Sequence, residues 1–93
     1  MFKKAKITKK QIEQLRDLLE IFDFYQIAQI CKGLQRGVDV SVYADPKYND
    51  RQMYELCAGL INGIDVSLYA NEKIDDDEMR IIRLRLEDHK LRY

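Results

Sequence analysis

The twelve residues GLQRGVDVSVYA, Gly33–Ala44, return 26 positions later as GLINGIDVSLYA, Gly59–Ala70. Eight of the twelve positions are identical, and two of the other four exchange one branched aliphatic residue for another. A catalytic site is rarely written twice in so short a chain, whereas a stacked scaffold is. Repeated words at a fixed interval predict repeated structural units, each burying its apolar face against the next.

The repeat reaches beyond the quoted words. Asp23, Asn49 and Asp75 lie 26 residues apart, and all three are good helix N-caps. Gln26, Gln52 and Glu78 stand three residues further on and complete a capping box each time. Phe22, Tyr48 and Ile74 precede the caps, and Ile27, Met53 and Met79 follow the boxes, the pairing of a hydrophobic staple. Ile7, Thr8, Gln11 and Ile12 offer a fourth copy. These signals predict helices over 9–22, 24–36, 50–62 and 76–91. Gly37 and Gly63 fall where a helix C-terminus needs left-handed backbone.

Apolar spacing agrees with helices packed on one side. The stripes are Ile12, Leu15, Leu19 and Phe22; Ile27, Ile30, Cys31 and Leu34; Met53, Leu56, Cys57 and Leu60; and Met79, Ile82 and Leu86. After each glycine turn, Asp39 and Asp65 can cap a short helix of about one turn. Its face would hold Val40, Tyr43 and Ala44, or Val66, Tyr69 and Ala70, and would plug the layer between long helices. Pro46 is expected to end the first short element. Gly33 and Gly59 lie mid-helix, where glycine costs up to about 1 kcal/mol. That points to close approach by the short helix or a neighbouring layer.

The expected fold is all-α, a small solenoid-like stack of about 26-residue helix–turn–short-helix repeats flanked by capping helices. It forms a single domain over 1–93. Residues 1–22 supply a basic arm and an N-terminal cap helix, 23–48 and 49–74 the two repeats, and 75–93 a partial repeat and C-terminal cap helix. Arg85 and His89 replace the repeat glycines in that last helix. A chain of 93 residues buries only about 60–65% of its unfolded surface, so the core is thin.

The string Q-x-x-x-x-x-x-G-L-x-x-G-x-D-V-S-x-Y-A matches Gln26 to Ala44 and Gln52 to Ala70. It resembles a short helical repeat family found in mobile-element proteins of Gram-positive bacteria, in plasmids, integrative elements and phages. The match covers roughly two thirds of the chain, with a partial third copy from Glu78. The resemblance implies a bacterial, cytoplasmic, mobile-element origin and brings no catalytic residues with it.

Residues that could carry chemistry have plainer uses. His89, the single histidine, has no Cys or His at ligand spacing and suits a helix C-terminus. Cys31 and Cys57 occupy one repeat position, too far apart across packed helices for a disulfide, and are expected to be small buried core residues. Asp75 to Glu78 lack the loop pattern of a calcium site; they cap and begin a helix. Ser41 and Ser67 have no histidine placed to activate both. No catalytic residue, metal or cofactor is expected.

Charge gives no global pull toward nucleic acid or anionic lipid, since sixteen Lys and Arg balance sixteen Asp and Glu. The start, MFKKAKITKK, lacks the apolar run of a signal peptide, and no stretch is long and apolar enough to span a membrane. A cytoplasmic protein is expected. In a repeat scaffold, exposed positions that differ between copies are available to partners. Tyr25, Arg51, Tyr54 and Ile61 are such positions and are the expected protein-contact residues. The leading expectation is a non-enzymatic binding module acting by stoichiometric protein contact, with a host defence nuclease as partner in the manner of an anti-CRISPR inhibitor. The alternative is a nucleic-acid-associated regulator using the basic arm and the last helix, through Lys9, Lys10, Arg80 and Arg83. Ile81, Leu84 and Leu91 form a second apolar flank on that helix, expected to pack on the first helix or to join two copies in a homodimer.

Overall fold

A computed structural model describes residues 8–92; within the first helix the side chains of residues 11, 12 and 15 are outside the description. Four α-helices follow one another: α1 (Lys9–Ile21), α2 (Phe24–Gln35), α3 (Asp50–Ile61) and α4 (Asp76–Arg92). Two three-residue 3₁₀ helices, Val40–Val42 and Val66–Leu68, follow α2 and α3. No strand occurs among the described residues. The expected fourth capping box rests on Ile7 and the side chains of Gln11 and Ile12, which lie outside the described residues, as do Leu15 and the arm over residues 1–7.

The caps explain where the helices start. Asp23 Oδ1 accepts from the Gln26 N–H at 2.8 Å while Gln26 Oε1 accepts from the Asp23 N–H at 2.9 Å. Asn49 and Gln52 repeat the pair at 2.8 and 2.9 Å. Asp75 accepts from the Glu78 N–H at 2.8 Å. The ends are as regular. Gly37 and Gly63 have φ of 73° and 71°. The next residues, Val38 and Ile64, donate back to the Gly33 and Gly59 carbonyls, and the glycine N–H groups donate to Leu34 and Leu60. Both helices therefore close with the Schellman pattern.

The mid-helix glycines answer to the 3₁₀ helices. A Cβ on Gly33 would collide with the Tyr43 hydroxyl and stand 2.6 Å from Val40 Cγ1. A Cβ on Gly59 would meet Tyr69 and Val66 in the same way. The two hydroxyls donate at 2.7 Å to the backbone carbonyls of Gln29 and Glu55, one turn before each glycine. Each tyrosine is thus a buried peg through the gap a glycine leaves. The short helices are held by Asp39 and Asp65, which accept from the N–H and hydroxyl of Ser41 and Ser67. Pro46 does not set where the short element ends. The second copy has Glu72 at that place and ends at the same point, because Asp45 and Asn71 both accept from the N–H two residues on and form the same turn.

The helices pack mainly on their sequence neighbours: α1 on α2, α2 on α3, α3 on α4. Layers are also stitched by the capping glutamines. Gln26 Nε2 donates to the Tyr48 carbonyl at 2.7 Å, and Gln52 Nε2 to the Ile74 carbonyl at 2.8 Å. The core runs through Phe22, Tyr43, Tyr48, Met53, Leu56, Cys57, Ile64, Val66, Tyr69 and Met79.

Further sequence expectations need correction. Cys31 is exposed whereas Cys57 is buried. The Cys57 thiol lies against the hydroxyl of Tyr43, which caps the preceding short helix; no short helix precedes α2, so Cys31 has no such cover. Leu34 is likewise 62% exposed, and Leu19 on α1 is 47% exposed rather than buried. The last helix also does not place Ile81, Leu84 and Leu91 against α1. It packs on α3 and leaves all three exposed.

Candidate protein-contact site

The flank shared by α2, α3 and the start of α4 carries a cleft that gathers positions where the repeats differ. Gln29, Asp50, Arg51, Tyr54, Glu55 and Asp76 line a cleft of about 230 Å³. Helical spacing puts Tyr25, Gln29 and Lys32 on one side of α2, and Arg51, Glu55 and Ala58 in the same register of α3, where Arg51 and Glu55 reach toward α4. Lys32 crosses from α2 to α3, with its Nζ 4.4 Å from the centre of the Tyr54 ring. Arg51 reaches Asp76 at 3.5 Å. Gln29 Oε1 is buried with no hydrogen-bond partner among the described residues.

Of the four expected contact residues, Arg51 and Tyr54 line this cleft together. Tyr25 is 72% exposed on the flank of α2 that also carries Gln29. Ile61 stands apart, packed against the core.

The wall behind the cleft is an ion-pair network that the sequence reading missed. Arg83 donates through Nε to Glu55 and through Nη1 to Glu87, each at 2.8 Å. Glu87 also accepts from Asn62 Nδ2 at 2.7 Å. Burial opposes charge on Arg83, but the hydrogen bonds and charges of Glu55 and Glu87 outweigh it and raise its pKa. Burial likewise opposes charge on Glu87, and the hydrogen bonds from Asn62 and Arg83 outweigh it, holding that carboxyl below the usual range. Burial pushes the Tyr43 and Tyr69 hydroxyls well above theirs. A signal for the network was present. Arg83 occupies the register of Cys31 and Cys57, and Glu55 that of Gln29 and Ile81, so two departures of opposite charge fall in adjacent layers.

The network corrects the basic surface. Arg83 is a largely buried structural cation, its side chain 12% exposed and held by two carboxylates, and is not presented to phosphate. Arg80 and Arg92 are exposed but pair with Asp77 and Asp88 at 3.3 Å. Lys90 donates to the Asn62 and Gly63 carbonyls at 2.9 and 3.3 Å, covering the end of α3. Lys9 and Lys10 are exposed on α1. No three His, Cys, Asp or Glu side chains among the described residues are grouped to hold a metal ion. No described helix is long and apolar enough to cross a membrane.

Comparison with family models, with curated proteins and with solved structures found no match.

Proposed function

We propose that the chain is a non-enzymatic protein-binding module, a solenoid-like stack of two and a half repeats between capping helices, acting by stoichiometric contact through the α2–α3 flank. Extents of 48 × 33 × 16 Å suit four helices side by side, since packed helices lie about 8–10 Å apart. The observation that carries the binding reading is the placement of Arg51 and Tyr54 on one cleft, with Tyr25 exposed on the flank of α2 that carries Gln29, at positions that differ between otherwise repeated layers. Tyr and Arg are enriched where binding energy concentrates. The Asp50 carboxylate and the buried acceptor of Gln29 suit a donor side chain of the partner.

Resemblance to a mobile-element repeat makes a host defence nuclease in the bacterial cytoplasm the first partner to test, with this protein as its inhibitor. The test is capture of partners from Gram-positive lysate, with and without nuclease treatment, by the native chain and by Tyr25→Ala and Tyr54→Ala. The reading expects one protein retained after nuclease treatment and lost with either substitution. Retention that disappears with the nucleic acid, and with Lys9→Gln and Lys10→Gln, overturns it in favour of a nucleic-acid regulator.

A further inference from the structure

The outward face of α4 is built differently from the same face of the inner helices. Glu55 of α3 reaches Arg83 of α4, so its register faces the following layer. In that register α2 has Gln29 and α4 has Ile81. One turn on, Lys32 and Ala58 give way to Leu84. Ile81, Leu84 and Leu91 are 51, 50 and 87% exposed. The side of the stack that a terminal layer normally keeps polar is therefore apolar here. With Asp77 and Asp88 these residues sit at alternating spacings of four and three, the seam of a two-helix coiled coil.

We infer that this face binds a second copy of the chain, α4 against α4, antiparallel about a two-fold axis near Leu84. Charge selects both the occupant and the direction. The helix opens with Asp76, Asp77 and Glu78 and closes with His89, Lys90 and Arg92. An antiparallel pair lays each acidic end along the other's basic end and opposes the two helix dipoles. With Leu84 at the axis, Arg80 stands opposite the partner's Asp88. A parallel pair sets like ends together. The two-fold places the same patch on both copies, the commonest closed arrangement. A contact of two 17-residue helices lies at the small end of specific interfaces, so a dissociation constant of roughly 10–100 μM is expected.

The inference does not depend on the α2–α3 flank and is tested without any other partner. Sedimentation equilibrium of the full chain from about 5 to about 500 μM brackets that affinity. The mass is expected to rise from 11.1 kDa toward twice that value, and Leu84→Glu to keep it monomeric with an unchanged far-UV circular dichroism spectrum. Orientation is read in a Cys31→Ser background. Leu84→Cys is expected to form a disulfide between copies and Leu91→Cys none, because its equivalents lie about 21 Å apart across the axis. A monomer at every concentration, or a dimer indifferent to Leu84→Glu, overturns the interface. Disulfides at both positions overturn the antiparallel arrangement.

Discussion

Gly59 shows how one residue type is forced by a partner ten positions away. The space for its missing Cβ is filled by the Tyr69 hydroxyl and by Val66. Gly59→Ala is expected to lower stability by about 1–3 kcal/mol, the usual cost of an overpacked core, read by urea denaturation. Tyr69→Phe removes a hydrogen bond to the Glu55 carbonyl, worth about 1 kcal/mol. It also clears the oxygen nearest the added methyl. The double variant should therefore lose less than the two single losses together, a coupling that independent sites would not show. The glycines and their fixed distance from the tyrosines were legible in the sequence. The burial of the two cysteines was not, because Cys31 and Cys57 are the same letter in the same register. Their difference comes from whether a short helix precedes the layer, and that depends on connection rather than on the residue.

At the scale of an element, the capping boxes carry more than a helix start. Gln and Glu serve equally in the box itself, yet only the amide can donate onward to the next layer. Gln52 donates to the Glu72 and Ile74 carbonyls. Gln52→Glu keeps the box, loses those donors and sets a carboxylate against two carbonyls. It should cost about 1–3 kcal/mol, whereas Glu78→Gln should be close to neutral. The glutamines were legible as caps. Their second role was not, because it reaches over 20 residues to a loop.

The network that fixes α4 on α3 predicts a pH dependence. Glu87 is held below the usual carboxylate range in the folded chain, so its contribution is complete above the unfolded value, about 4.3, and is lost as pH falls through the lowered folded value. Denaturation at pH 7 and pH 3 should show a smaller acid loss for Glu87→Gln than for the native chain. An equal loss in both would remove Glu87 from the account.

Across the whole molecule, the repeated words gave the helices, turns and short elements nearly to the residue, since each is set by local chemistry. Register-keeping residues were legible because they recur. The α2–α3 cleft and the Arg83 network were not, because they are built from positions where the copies differ and need the neighbour's geometry. The layered arrangement also predicts how stability is distributed. Met53, Leu56 and Cys57 of α3 are fully buried between α2 and α4, while Leu18, Leu19 and Ile21 of α1 remain exposed. Native-state hydrogen exchange read amide by amide tests this most directly. If stacked neighbours hold the fold together, protection is greatest in α3, lower in α2 and α4, and least in α1. Protection in α1 equal to that in α3 would contradict the layered account.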